Sequence, residues 1–433
     1  MFHGPSFQGV VSVDRWGEDG AEATVVGLPA TELFRTLSDP CFLTDPVLLD
    51  ALGQVVGHWI GDFPEACPEP RRRNGFVAFP FGLKALHLYG PNLRPGERAT
   101  CQARIAVIGD ERTRADIDLV GQDGRLRKRL VGWEDTGFNM PRRFWDFILT
   151  PGDVVVSSPW PTLLAEFPVS GAFQCCRLDG FPRDFFEAHG MIWKHDLAHL
   201  VLSRRERETW RSLRGPEKRR TEWLLGRTVA KDTLRLFLKE HYGMELCPAD
   251  IELVADERGR PIVQGLWAEE LESVPILSLA HSDGVAVAVA GDSRLGIGIG
   301  VDIERVGRVS PVLNSERSEG EGKEAIEGLA FTPQERELLA GVVGESHWPT
   351  ARDEWAMRLW CAKEAVAKAL GQGMIGGPQA LVAQELEART GRVKIVLAGE
   401  MAKLFPEFAG LHITAYTARE ADLIVATSLC DLS

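Results

Sequence analysis

Between residues 295 and 304 the chain alternates strictly. Ile297, Ile299, Val301 and Ile303 interleave with Gly296, Gly298, Gly300 and Asp302, and Glu304 closes the run. A period of two predicts a strand, in which residues i and i+2 share a face. Asp302 and Glu304 therefore project together from a face that is otherwise bare glycine. Residues 353–371 carry the helical period instead, with Trp360, Glu364 and Lys368 at successive i+4 steps and the small Ala365 and Ala367 beside them. Near the start of the chain, residues 45–60 are apolar round most of a helical circumference, with Pro46 at the first position, which predicts a helix buried on most sides. Alternating stretches at 8–13, 21–28, 76–81, 83–89, 99–108, 112–120 and 125–133 predict strands, with tight turns at 17–20 and 121–124.

One wrapped helix within an antiparallel sheet is the hotdog arrangement, and Thr150-Pro-Gly-Asp153 reads as the linker that ends it. The expected organisation is thus α+β, with a domain at 1–150 and a second at 151–433. In the second, 169–176 and 285–290 read as strands, 185–202 and 221–231 as helices, and 257–263 as a turn into a strand. The Glu-, Ser- and Gly-rich stretch 315–328 reads as a mobile surface loop. Thr332, Pro333 and Glu335 form a full capping box.

Composition narrows the function. With 433 residues and 44% hydrophobic content the chain can build two or three real cores. A net charge of −13 argues against nucleic-acid binding, which needs clustered cations. The eight cysteines contain no C-x-x-C, so packed, reduced thiols are expected. No secretory leader is legible at the N-terminus and no apolar run reaches the ~18 residues of a bilayer span. Cytoplasm is the expected compartment, with no membrane partner.

Candidate chemistry concentrates late in the chain. Asp302 and Glu304 make a hard-cation site that lacks a third oxygen, and Glu364 supplies it if helix and strand meet; Lys368, one turn on, would then face a phosphate. As a mere surface pair, Glu364 and Lys368 would contribute only about 0.2–0.5 kcal/mol and leave the two strand carboxylates unexplained. Residues 204–220 hold eight basic and three acidic residues, a solvated face or a seat for a phosphate-rich ligand or acidic protein. Arg227 and Lys231 fall at i, i+4, where they could reach one anion. His195 and His199 have metal spacing but no H-E-x-x-H and read as solvated or capping groups. His281-Ser282 lacks a G-x-S-x-G elbow, and the alternating glycines are not a dinucleotide fingerprint.

Two resemblances follow. Phe2-His-Gly-Pro-Ser-Phe-Gln-Gly9 and Asp45-Pro-Val-Leu-Leu-Asp-Ala-Leu-Gly-Gln54 resemble the second hotdog of polyketide synthase dehydratase domains, with Asp50 and Gln54 matching the catalytic aspartate and its neighbour four residues on. The partner histidine of that family belongs to a first hotdog with no counterpart here, and Asp45-Pro46 stands where the family usually has His-Pro. His3 and His58 read as structural rather than as substitutes. His281-Ser282, Gly300-Val-Asp-Ile-Glu304 and Trp360-x-x-Lys-Glu-Ala-x-x-Lys368 together resemble the Sfp-type 4′-phosphopantetheinyl transferases over residues 155–433. That family's fold is a pseudo-dimer of two α+β halves with coenzyme A between them; the boundary would lie near Gly291.

The second resemblance implies transfer of 4′-phosphopantetheine from coenzyme A to the serine of an acyl carrier protein, giving holo-carrier and 3′,5′-ADP. It implies Asp302, Glu304 and Glu364 as magnesium ligands, and Lys368 as the stabiliser of charge on the transferred phosphate. Glu364, or a water it holds, would deprotonate the serine. Arg260, His281 and Ser282 would hold the cofactor's phosphate and adenosine end, with Arg220, Arg227 and Lys231 as looser matches; Lys363 keeps the motif without a separate chemical step. The pairing of domains resembles the C-terminal end of iterative, enediyne-type polyketide synthases, which implies a polyketide synthase partner and makes Met1 either a truncated start or that of a split gene. Two alternatives stand beside it: a dehydratase half acting on a β-hydroxyacyl carrier with a missing partner hotdog, or a non-catalytic carrier-docking module. A lone hotdog is expected to form a homodimer or expose an apolar sheet edge.

Overall fold

The structure, a computed structural model, describes residues 4–31, 33–34, 36–37, 40–62, 76–108, 112–160, 170–182, 185–187, 191–306, 328–344 and 351–432. His3 and nearly all of the 315–328 stretch lie outside the described residues. The chain divides into two compact units, Met1–Trp145 and Asp146–Ser433.

In the first unit, strands β1 (Val10–Gly17), β2 (Gly20–Val26), β3 (Phe76–Leu88), β4 (Arg98–Ile108), β5 (Arg112–Gly121) and β6 (Leu126–Asn139) form one sheet in the order β1-β2-β4-β5-β6-β3. Every pairing in it is antiparallel. Helix α1 (Pro46–Asp62) lays Leu48, Leu52, Val55, Val56 and Trp59 against Val25, Cys101, Ile117 and Leu119 of that sheet, the hotdog expected. Its N-terminus is capped by Asp45, whose Oδ1 accepts the Val47 and Leu48 amides at 3.0 and 3.1 Å. Two expected strands, 76–81 and 83–89, are one. Pro80 and Gly82 sit at a register shift in an edge strand, where proline is tolerated. Asp135 of β6 is buried and accepts the Trp133 indole N–H at 2.9 Å. Burial pushes its pKa up to about 6, with the Trp133 bond opposing.

Helix α2 (Arg142–Leu149) contains the point of division. In the second unit, β7 (Ser158–Pro159), β8 (Phe173–Leu178), β11 (Ile276–Ser282) and β12 (Val285–Gly291) form a sheet in the order β11-β12-β8-β7. Strands β13 (Ile297–Arg305), β14 (Leu381–Glu387), β15 (Arg392–Leu397), β16 (Ile413–Glu420) and β17 (Leu423–Asp431) form another, β13-β17-β16-β15-β14. Strands β9 (Glu252–Ala255) and β10 (Pro261–Gln264) make a separate hairpin. The helices are α3 (Ile192–Val201), α4 (Arg204–Ser212), α5 (Glu217–Tyr242), α6 (Pro333–Gly344), α7 (Ala351–Ala369) and α8 (Gly399–Leu404). Helix α3 starts later than expected, because Met191 at its N-cap is left-handed, φ 64°, and stops the helix there.

The two halves of this unit are built alike, although no repeat is obvious in the sequence. In each, a helix begins with a capping box, Ser203 with Glu206 and Thr332 with Glu335. The capping glutamate also accepts a strand amide, from Leu253 in one half and Ala383 in the other. A buried lysine from the following long helix then reaches that glutamate, Lys231 to Glu206 and Lys363 to Glu335. Each lysine also donates to the carbonyl two residues before the cap, Val201 or Ala330. Trp223 and Trp355 stand eight residues before the lysines, each under an arginine, Arg227 or Arg358. The closing hairpins match too: Asp283 and Ala421 begin the turns at φ 47° and 53°. This is the pseudo-dimeric α+β fold expected. The buried pairs are hydrogen-bonded beyond the ion pair itself, to backbone carbonyls and strand amides, without which they would destabilise the fold.

Two measurements check these readings. Removing one partner of a fully buried pair strands the other, so Glu335→Ala should cost roughly 3–5 kcal/mol in denaturant unfolding. Asp135 has a folded-state pKa above its unfolded one, so it withdraws stability as pH rises from about 4 through about 6. Asp135→Asn should therefore raise the melting temperature at pH 8 but not at pH 4, with a gain of up to about 3 kcal/mol.

Candidate active site

The site is set by the two faces of β13. Ile299, Val301 and Ile303 are buried in a core shared with Val287 and Val289 of β12 and Val425 of β17. The opposite face receives α7 at backbone contact. A Cβ on Gly298 would stand 1.9 Å from the Ala369 carbonyl oxygen, and one on Gly300 would stand 1.8 Å from that of Ala365. Four helical residues rise about 6 Å and two strand residues about 6.7 Å, so the contact repeats nearly in step. One more step brings Cys361 to Asp302. Its thiol is pushed well up by burial and then by the Asp302 and Glu304 carboxylates, so both acids face this helix.

Helix and strand therefore meet, and their chemistry meets with them. Lys368 Nζ donates to Asp302 Oδ1 at 2.8 Å and to the Val301 carbonyl at 3.0 Å. Burial would pull the ammonium down, but Asp302 and then Glu364 outweigh it and hold Lys368 above the usual lysine range. Glu364 is pushed up by burial and then by Asp302, with Lys368 opposing. Ser282 donates to Glu304 Oε2 at 2.8 Å, tying β11 to the end of β13.

The cation site is only partly formed. Among the described residues no three His, Cys, Asp or Glu side chains gather closely enough to hold an ion. The expected three-carboxylate cluster is thus not assembled: Lys368 occupies one oxygen of Asp302 and Ser282 one of Glu304. Asp302 Oδ2, however, is buried without a hydrogen-bond partner among the described residues, a bare carboxylate oxygen of the kind that a hard cation takes. The donor set fits magnesium by that orphaned oxygen and by the neighbouring Glu364.

Beside this group lies a cleft of about 310 Å³. Arg227, Arg258, Arg260 and Lys368 line it with a single carboxylate, Glu364, and Leu253, Val254, Pro261, Leu277 and Leu279 supply apolar wall. Arg227 lies over the Trp223 ring, and burial lowers its pKa to about 10 against the pull of Glu206. His281 is exposed and stands close enough to α5 that a Cβ on Gly226 would be 3.1 Å from its ring, but it is not among the residues lining the cleft. Desolvation by the surrounding walls, then Lys368, lowers its pKa while Asp302 opposes.

Four residues expected at the cofactor, His281, Ser282, Lys231 and Arg220, are not among those lining the cleft. Lys231 is fully buried and held by Glu206 and the Val201 carbonyl. Arg220 is held by Glu217 and the Trp210 ring and is not among the residues lining the cleft. Spacing on α5 predicted one face and one shared anion for Arg227 and Lys231; the anion is Glu206, which takes Lys231 fully inward and lies 3.7 Å from Arg227 Nε. Conversely, Arg258 and Gln372 line the cleft without having been singled out. The signal for Arg258 was its place as the first arginine of Arg258-Gly-Arg260; for Gln372 it was the Gly-Gln-Gly turn after the motif helix.

Residues 298–427 match the 4′-phosphopantetheinyl transferase superfamily. The holo-[acyl-carrier-protein] synthase of Geobacillus kaustophilus (strain HTA426) is 36% identical over 96 residues, 22% of this chain and 70% of that protein. The chain belongs to the 4′-phosphopantetheinyl transferase superfamily. The corresponding synthase of Bacillus mycoides (strain KBAB4) is 35% identical over 88 residues, 20% of this chain and 69% of that protein. In front of the transferase, residues 1–135 match the polyketide synthase dehydratase N-terminal domain. That description names the first domain where the motifs resemble the second hotdog; both put one dehydratase hotdog ahead of the transferase. Among solved structures, the dehydratase domain from the CurK module of the curacin polyketide synthase is 22% identical, covering 32% of this chain and 42% of that one, TM-score 0.23. The dehydratase domain of PpsC from Mycobacterium tuberculosis is 22% identical, covering 31% and 46%, TM-score 0.25. The chain spans less than half of either structure. No helix among the described residues of the transferase or its hotdog is long and apolar enough to cross a membrane.

Because the glycine face sets the geometry, Gly300→Ala should separate α7 from β13. We expect a loss of about 1–3 kcal/mol or more in thermal unfolding, and a loss of transferase activity beyond the unfolded fraction. Gly341→Ala, on α6 with no atom within 4 Å of the added Cβ, should leave both intact.

Proposed function

We propose that the cleft binds coenzyme A and that the enzyme transfers its 4′-phosphopantetheine to the serine of an acyl carrier protein, dependent on magnesium. The observation that carries this reading is four cationic side chains round one small cleft, next to a carboxylate oxygen left bare at Asp302. Asp302 Oδ2, Glu304 and Glu364 would hold the ion, which when bound neutralises pyrophosphate charge. Arg227, Arg258 and Arg260 face the remaining phosphate charge. Lys368, held protonated by Asp302, is aimed by that bond at the phosphate being transferred. Glu364, its pKa raised by burial and by Asp302, is the base within this group. It takes the serine proton as the new O–P bond forms and the pyrophosphate P–O bond breaks, leaving 3′,5′-ADP. Serine is a weak nucleophile and the substrate is highly anionic, so charge neutralisation and alignment supply most of the acceleration.

The hotdog reads as a dehydratase-like half site within a polyketide synthase context. Gln54 Nε2 donates to Asp50 Oδ2 at 2.6 Å and to the Phe7 carbonyl at 2.7 Å, which fixes the acid's orientation. A base from a second hotdog would complete it. The edge strand β3, with Phe81, Leu83 and Leu88 exposed, is the edge on which a second copy would pair.

Incubation with coenzyme A, magnesium and an apo carrier protein should add one phosphopantetheine to the carrier serine, read by intact-protein mass. Chelation should stop the reaction, and Asp302→Ala and Glu364→Gln should each slow it roughly 100-fold or more. An unmodified carrier, under conditions where an unrelated transferase modifies it, would reject the reading.

A further inference from the structure

The cleft holds one polar group that the transfer chemistry does not use. Gln372 follows directly on α7: its amide N–H donates to the Ala367 carbonyl at 3.0 Å, and that of Gly371 to the Lys368 carbonyl at 3.0 Å. Gly371 is left-handed, φ 68°, which lets the chain turn back over the helix end. The Gln372 side chain thereby enters the cleft wall while its residue is only 7% exposed. Its Oε1 is shut from solvent and has no hydrogen-bond partner among the described residues. A buried carbonyl without a donor is costly, and native structures supply the missing bond from a ligand or an ordered water.

The missing partner must be a hydrogen-bond donor. A phosphate offers acceptors, and Arg227, Arg258, Arg260 and Lys368 already face that charge. What an amide matches is a flat edge carrying a donor beside an acceptor, as adenine does with its exocyclic amine and adjacent ring nitrogen. Position agrees with this. A Cβ on Gly371, one residue before Gln372, would stand 3.1 Å from Arg260 Nη1, and Arg260 and Gln372 both line the cleft, so a guanidinium stands on the same wall, as phosphates accompany a base. Leu253, Val254 and Pro261 offer apolar surface for the ring faces.

We propose that Gln372 reads the adenine base, accepting from the exocyclic amine and donating to the adjacent ring nitrogen, and so sets the base specificity of the cleft. This rests on the coenzyme A reading above. Calorimetric titration of the full chain with 3′,5′-ADP, which lacks the pantetheine arm, and with 3′,5′-IDP, in which a carbonyl replaces the amine, separates the cases. The wild-type chain should bind 3′,5′-ADP roughly tenfold or more tightly than 3′,5′-IDP. Gln372→Leu should lose about that factor for 3′,5′-ADP and discriminate no longer. Unchanged 3′,5′-ADP affinity in Gln372→Leu overturns the proposal, and if coenzyme A alone weakens, the amide holds the pantetheine arm instead. Equal binding of the two nucleotides by the wild-type chain overturns it as well, and that comparison stands even if the variant fails to fold. If the wild-type chain binds neither nucleotide, it is the coenzyme A reading that falls, and the base assignment with it.

Discussion

The backbone contact between α7 and the glycine face of β13 is what the rest of the transferase unit depends on. Side chains normally keep a helix about 10 Å from a sheet. Gly298 and Gly300 remove that spacer, and the carbonyls of Ala369 and Ala365 occupy the space where their Cβ atoms would be. At this range Lys368 reaches both the β13 backbone and Asp302, and the like charge of Asp302 is felt at Glu364. The other face of β13 locks the strand into the core between the two sheets, so the acids stand on an element fixed from both sides.

The repeated architecture explains why only one such group is built. Both halves carry the buried lysine–glutamate device, which anchors the long helix to its neighbours. In each the residue after the lysine is an acid, Asp232 or Glu364. Asp232 accepts the Val156 and Ser157 amides and the Ser157 hydroxyl, all at 2.8 Å, and is closed off by that segment. Counted from the matching hairpin turns, the partner of Ala288 in the first half is Cys176, where the partner of Ala426 in the second is Asp302. A buried thiol and a fully bonded aspartate offer no charge to a ligand. The first half keeps the scaffold and contributes Arg227, Arg258, Arg260 and the β9 wall instead.

Much of this was legible in the sequence because it rests on period and spacing. The two-residue period of 295–304 and the i+4 steps to Lys368 predicted which side chains share a face, and the capping box at Thr332 was readable residue by residue. What the sequence did not carry was which cations turn inward. Arg227 and Lys231 share a helical face and both meet Glu206 of another helix, yet only the arginine also lines the cleft while the lysine is fully buried. Neither was the length of β3 readable, since Pro80 breaks a central strand but is harmless at an edge. Gln372 was hidden for a different reason: a glutamine between glycines has no periodic signature, and only its burial marks it.

Charge distribution gives the site its direction. Within this group Asp302, Glu304 and Glu364 stand with one ammonium, Lys368, which is bonded to Asp302 and felt at Glu364, so carboxylates are in excess at the β13 end. The cleft beside it has the opposite excess, three arginines with Glu364 as the only acid among its lining residues. A polyphosphate alone would be drawn to the arginines and repelled by the carboxylates; a cation alone would be drawn the other way. A ligand with a divalent ion on part of its phosphate chain and bare anionic charge on the rest suits both ends at once. Lys368 lies at the junction, bonded now to Asp302 Oδ1 while Oδ2 stays bare. The lysine therefore marks where the two excesses meet.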